Sequence, residues 1–290
     1  MSGFEASADA AVSAAGNATL HAASREALNL AEKRLGEVLG EAGTDAATVG
    51  AELFSVVDLL DREPGLRRAV GDSAAESQAR KSLLRTLLAD KLSEPTLQVL
   101  DSVVSQRWSS PSQLVDGAQA LGRSALLTSA EKTGNLDTVE DQLFQIARIV
   151  VGKPELEQAL SDQAAPAENK RSLVHGLFSG RVDVVVETLV EQALLRHQVG
   201  GVGQVLDELV ELTARRRQRS VAHVISANAL SDEQQTRLAD KLSGIYGRQI
   251  ALHIEIDSQL GGGLVVRVGD EVINGSTAGQ LDALRRRLAG

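Results

Sequence analysis

Two hydrophobic periods divide this chain. Up to about residue 219, apolar residues recur every three or four positions, the spacing of one buried helical face; beyond Ser220 they alternate, the spacing of a half-buried strand. In the first region Val49, Leu53, Val56, Val57 and Leu60 form one stripe, which predicts an amphipathic helix packed on one side. Leu28, Leu35 and Leu39 predict a helix before it, with Ser24 as its candidate N-cap. Pro64 stops the striped helix or opens a short one after it. Helices follow at roughly 75–91 and 94–108. Ser110, Pro111 and Gln113 then supply a serine N-cap, a proline at the first helical position and the glutamine of a capping box. That helix should run from Pro111 to about Lys132 and bury Leu114, Val115, Ala118, Leu121 and Ala125.

In the second region SVAHVIS reads as a short strand. Ser231 and Gln234 form a second capping box, with Asp232 and Glu233 suited to the positive end of the helix dipole. The helix they open should turn Leu238, Leu242 and Ile245 inward, reach about Tyr246 and end on Gly247. Ile250, Leu252, Ile254 and Ile256 alternate with polar or small residues, as do Leu264, Val266 and Val268. A turn at Gly269-Asp270 leads into Glu271–Asn274, and a last helix starts near Ser276 or Thr277.

The helical text repeats. At a constant offset of ninety residues Thr48 meets Thr138, Leu53-Phe54 meets Leu143-Phe144, Pro64 meets Pro154, Asp72 meets Asp162 and Ser82-Leu83 meets Ser172-Leu173. A shared helical period would scatter leucine matches; it would not align prolines and the Leu-Phe pair in one register. One such duplication is a doubled bundle and falls short of the three or more repeats of a solenoid. The expected fold is therefore mainly α, a duplicated helical bundle followed by a small α/β C-terminal domain. Residues 1–23 form a mobile tail, 24–120 the first copy, 121–219 the second with the helix near 111–132 shared, and 220–290 the small domain. Phe54 and Phe144 are expected as equivalent core residues, and Trp108, the only tryptophan, as a half-buried packing residue.

Composition narrows the chemistry. Aromatics are 2% of 290 residues, so the core must be Ala, Leu, Val and Ile. There is no cysteine, which excludes disulfides, thiol catalysis and cysteine metal sites. A formal net charge of −9 disfavours nucleic acid as a partner, because phosphate binding needs clustered positive charge. The arginine runs at 215–219 and 285–287 fall near helix ends, where cations complement the dipole. No window approaches a membrane-spanning length, and the N-terminus lacks the order of a signal peptide, so a cytoplasmic protein without direct membrane insertion is expected.

Catalytic patterns are absent from the text. Gly261-Gly262-Gly263 lacks the following Lys-Ser/Thr of a phosphate loop and runs toward a strand, so it reads as a bend. His223 and His253 fall on candidate neighbouring strands, without the carboxylate that would make them a metal pair. Neither a cofactor nor a metal is expected. What remains is a binding protein whose small-residue bundle leaves grooves for amphipathic partner helices.

The C-terminal text carries a resemblance. Asp257, a short turn, Gly262-Gly263, the strand Leu264–Val268, Gly269-Asp270, Val272-Ile273, Gly275-Ser276 and the basic-ended helix Leu281–Leu288 stand in order. This order resembles the signature of the delta subunits of F-type ATP synthases, the bacterial counterparts of the oligomycin-sensitivity-conferring protein. VEDQLFQIARIV, ASREAL and SQRWSSPSQLVD extend the likeness over roughly residues 24–290, toward the longer actinobacterial branch. Ser258 and Gly261 depart from the family's usual Asp-Pro-Ser-Leu-Ile-Gly-Gly turn. The resemblance implies a non-catalytic stator subunit at the cytoplasmic face of the cell membrane, held there through its complex. Its helical part would bind N-terminal helices of alpha subunits on the alpha/beta catalytic head, and its C-terminal domain would bind subunit b of the peripheral stalk. A cytoplasmic helical adaptor outside that complex is the alternative.

Overall fold

The computed structural model describes residues 20–162, 165–196, 201–219, 221–246, 250–257, 260–269 and 271–276. The chain divides into two compact units, Met1–Thr213 and Ala214–Gly290.

The helical unit begins with α1 (Ala22–Gly40), α2 (Ala46–Arg62), α3 (Pro64–Gly71), α4 (Ser77–Leu88), α5 (Glu94–Ser105) and α6 (Pro111–Thr133). It continues with α7 (Leu136–Val151), α8 (Pro154–Ser161), α9 (Ala167–Phe178), α10 (Val184–Leu195) and α11 (Val202–Arg219), the last running past the unit boundary. The repeat is visible in the helix starts. Ala46 and Leu136, Pro64 and Pro154, Ser77 and Ala167, and Glu94 and Val184 open paired helices ninety residues apart. It is visible in the hydrogen bonds too. Glu52 accepts the N–H of Ser93 at 3.0 Å, tying α2 to the start of α5, and Gln142 accepts the N–H of Asp183 at 2.7 Å, tying α7 to the start of α10.

Local chemistry sets the boundaries. The Asp45 carboxylate accepts from the N–H groups of Ala47 and Thr48 and caps α2, and Asp183 does the same for Val185 at the head of α10. Prolines stand at the first position of α3, α6 and α8, where a missing N–H costs nothing. Ser24 does not cap α1. It lies inside the first turn, fully buried, with its hydroxyl donating to Gln113 at 2.5 Å and accepting from the Ser109 N–H at 2.9 Å. It is a tie between α1 and the start of α6. Trp108 is more buried than expected, at 5% exposure, because its indole N–H finds the Val103 carbonyl at 2.9 Å and so satisfies its one polar atom.

Helix α6 serves two cores. Leu114, Val115, Ala118, Leu121 and Ala125 belong to the first, with the stripe of α2 and with α1 and α5. Leu126, Leu127 and Ala130 belong to the second, with Val139, Leu143, Val186, Leu189 and Leu206. Phe54 of α2 joins the second core although it belongs to the first copy.

The expectation for Phe144 fails. Phe54 is 1% exposed and Phe144 is 52% exposed. The reason is steric. Phe54 lies against Gly122 of α6, where a Cβ would stand 3.0 Å from its ring. Ninety residues beyond Gly122 stands Leu212, a larger residue that packs, partly buried, against the second core. The second copy thus lacks the slot that takes the first phenylalanine.

In the small unit the sheet order is β2-β1-β3-β4, with β1 Val221–Ser226, β2 Ala251–Ile256, β3 Leu264–Val268 and β4 Glu271–Asn274. Strand β1 pairs parallel with β2 and antiparallel with β3, and β3 pairs antiparallel with β4. The parallel step is crossed by α12 (Asp232–Tyr246), whose capping box closes in both directions: Gln234 accepts from the Ser231 N–H at 2.9 Å, and Ser231 from the Gln234 N–H at 3.3 Å. Ala222, Val224, Leu242, Ile250, Val266 and Val268 form the core. Ile245 does not turn inward; it is 64% exposed, and Tyr246 packs there in its place, its hydroxyl donating to Glu271 at 2.8 Å. Ile256, at the end of edge strand β2, is also exposed. Gly247, Asp270 and the expected last helix lie outside the described residues.

Candidate functional site

Three surfaces stand out. The first joins the two helical copies. Arg171 of α9 ion-pairs with Asp58 of α2 and holds Glu191 of α10 at 3.0 Å. Arg196, just after α10, reaches Asp61 of α2 at 3.2 Å and Asp116 of α6 at 3.0 Å, and donates to Gln119 at 2.8 Å. Two arginines of the second copy therefore hold two aspartates of the first, one helical turn apart. Burial raises the Asp58 carboxyl above its ordinary value, against the opposing pull of Arg171 and Arg62. Beside this lock, burial pulls Arg123 down to about 10.

The second surface is the outer side of α7. Phe144, Ile149 and Val151 are each about half exposed, and Arg148 is exposed among them. The third is the turn between β2 and β3 with the strand ends it joins. The Asp257 N–H donates to the Ser226 carbonyl at 2.9 Å, and the Asp257 carbonyl accepts from Leu260 at 3.2 Å. Gly261, Gly262 and Gly263 all have positive φ, as has Gly269 between β3 and β4. Gly263 is also squeezed, since a Cβ there would collide with the Gly275 carbonyl oxygen and stand 3.0 Å from Ser276 Cα. Gly275 donates to the Leu264 carbonyl at 2.9 Å, and the buried Ser276 donates through its N–H and hydroxyl to Asn274 at 3.1 and 2.6 Å. The structure thus brings Asp257, Gly262, Gly263, Gly275 and Ser276 into one knot and leaves Gly269 in a separate turn. Asp270 lies outside the described residues.

This knot is built for backbone packing. The turn leads into strand β3, and not into a helix N-terminus of the kind that receives a phosphate. His223 and His253 are register partners on β1 and β2 with ring centroids 5.3 Å apart, and Arg267 is the partner of His223 on β3. Among the described residues no group of three or more His, Asp or Glu side chains is placed to hold a metal ion. A cleft of about 480 Å³ between α1 and the loop before α6 is lined by Glu26, Leu30, Arg107 and Trp108. Among the described residues no helix is long and apolar enough to cross a membrane.

Sequence reasoning missed the lock. Its signal was present in the repeat alignment, where Asp58 faces Arg148 and Asp61 faces Val151 at the constant offset. One aspartate is replaced by a cation and the other by an apolar residue, and in the first copy those are the positions at which the copies touch.

The family model described as "ATP synthase delta (OSCP) subunit" matches residues 123–288. Proteins named ATP synthase subunit delta are similar along nearly the whole chain. That of Rhodococcus opacus (strain B4) is 45% identical, covering 93% of this chain and 99% of its own length. That of Corynebacterium urealyticum is 46% identical, covering 93% and 100%. That of Nocardia farcinica is 44% identical, with the same two coverages. The chain belongs to the ATP synthase delta (OSCP) subunit family, in its longer actinobacterial branch.

Proposed function

We propose that this chain is a non-catalytic stator subunit of an F-type ATP synthase. It joins the alpha/beta catalytic head to the peripheral stalk, so that the head stays still against rotor torque during proton-driven synthesis. The observation that carries this reading is the lock between the helical copies in a chain of this family. A part that resists torque must not shear internally, and Arg171 and Arg196 cross from one copy to the other in two places. A second, separately cored unit supports attachment to a second partner.

The helical copies, 24–120 and 121–219, engage N-terminal helices of alpha subunits, and the domain at 220–290 engages subunit b. The glycine and serine positions Gly262, Gly263, Gly269, Gly275 and Ser276, with Asp257 and Asp270, shape that domain and take no part in chemistry. The chain sits at the cytoplasmic face of the cell membrane, held there through the complex. The test is binding. The purified chain should bind a peptide of the alpha N-terminus and a fragment of subunit b, and hydrolyse no ATP. Absence of binding to both at low salt would overturn the reading.

A further inference from the structure

His223 and His253 stand thirty residues apart in the chain, and strand register makes them neighbours. On β1 burial alternates: Ala222, Val224 and Ser226 are buried, and His223 is exposed on the opposite face. On β2 Leu252 and Ile254 pack against the same core, and His253 between them is exposed. The two imidazoles therefore stand side by side on the outer face of the sheet, in the parallel pair that α12 crosses. Their ring centroids are 5.3 Å apart, with the planes at 61°.

That separation suits a shared metal ion. Two imidazoles on one tetrahedral ion, with metal–nitrogen bonds of about 2.0–2.1 Å, have ring centroids on the order of 5 Å apart. The backbone register holds both rings near this distance before any ion arrives, so the second metal bond forms as an intramolecular step. Two protein ligands leave the other coordination positions to water, unlike the four ligands of a closed structural site. The ligand type selects the ion. Imidazole nitrogen suits Cu²⁺, Ni²⁺ and Zn²⁺, whereas Mg²⁺ takes oxygen ligands. Arg267, the β3 partner of His223, shares the face and opposes a dication; Glu255, two residues along β2 from His253, offsets it.

We propose that His223 and His253 form a chelating site for a divalent transition-metal ion, and that the ion clamps β2 to β1. Strand β2 stands at the edge of the sheet and is held there by β1 alone among the described strands. An ion bonded to both strands adds a second tie across the parallel pair, with the crossover helix already fixing its ends. The site does not depend on the stator reading.

The test uses the full chain, purified without a histidine tag and titrated with Zn²⁺ in a calorimeter, with Mg²⁺ as the control ion. Wild-type chain should bind Zn²⁺ in the micromolar range and leave Mg²⁺ alone. His223→Ala and His253→Ala should each weaken zinc binding by about a hundredfold, because each removes one arm of the chelate. Both side chains are exposed, and circular dichroism checks that the fold is kept. His175→Ala, which removes the imidazole beside Glu187, should leave the affinity unchanged. In the wild-type chain, zinc should slow amide exchange along β2, and a chelator should reverse the effect. Equal affinity in the wild type and both sheet variants, or affinity lost with His175, would overturn the proposal. Binding confined to millimolar zinc, the behaviour of isolated surface histidines, would overturn it too, as would β2 exchange that zinc leaves unchanged.

Discussion

Asp58 and Arg171 lie far apart in sequence, in different copies of a repeat, and form one ion pair across the join. Glu191 holds the same guanidinium from α10. Removing Arg171 takes the shared cation from two carboxylates, each with side-chain exposure under a third, and leaves Asp58 only its longer ion pair with Arg62 at 3.7 Å. Arg171→Ala should destabilise the helical unit by about 1–3 kcal/mol, the cost of leaving partly buried polar groups unmatched. Urea denaturation followed by circular dichroism measures it, and a loss below the error of the method would show the lock to be ornamental.

The same join gives a pH dependence. Burial raises the folded pKa of Asp58 above its unfolded value. Protonation therefore favours the folded chain, and the stability contributed by Asp58 is fullest below the unfolded value and lost as pH rises through the folded one. Asp58→Asn removes this titration. The stability of the wild type relative to Asp58→Asn should increase as pH falls from neutral toward the carboxylate range. Denaturation midpoints compared across that range check the sign, and the opposite slope would mean that Arg171 outweighs burial.

Trp108 supplies its own reporter. A Cβ at Gly117 would overlap its six-membered ring. Gly117→Ala should cost about 1–3 kcal/mol through overpacking, the better helix propensity of alanine notwithstanding. The emission of the single tryptophan should shift to the red as the ring is pushed toward water. An unshifted spectrum with unchanged stability would contradict the packing described.

The two turn glycines Gly261 and Gly263 should respond differently. Both have positive φ, but Gly261 faces open space while Gly263 is pressed against the Gly275 backbone. Gly261→Ala should cost about 1–2 kcal/mol from backbone strain alone. Gly263→Ala should cost clearly more, because a carbonyl cannot step aside as a flexible side chain can. Amide exchange of β3 and β4 separates the two variants; equal protection would remove the steric argument.

Much of this was legible in the chain. The stripe of α2, the start of α6 at Pro111 and the capping box at Ser231 depend on neighbours a few residues away, and local spacing predicts them well. The ninety-residue repeat was legible because prolines and the Leu-Phe pair keep their register. Phe144 is exposed where Phe54 is buried because burial here depends on residues far along the chain: Gly122 makes room beside Phe54, and at the matching position stands Leu212. Ser24 was misplaced because its partner, Gln113, stands on another helix. Ile245 lost its place to Tyr246, whose hydroxyl was anchored by a strand not yet in view. The charged lock is fainter in the sequence, since ion pairs between copies leave no periodic trace beyond the breaks in the repeat at Asp58 and Asp61.

The central claim is that this chain couples the catalytic head to the stalk. ATP-driven proton pumping by membranes carrying the synthase tests it most directly, with ATP hydrolysis measured in parallel. Depleting the chain should abolish pumping while the head continues to hydrolyse ATP, and adding the purified chain back should restore pumping. Pumping that survives depletion, or that the added chain fails to restore, would contradict the account.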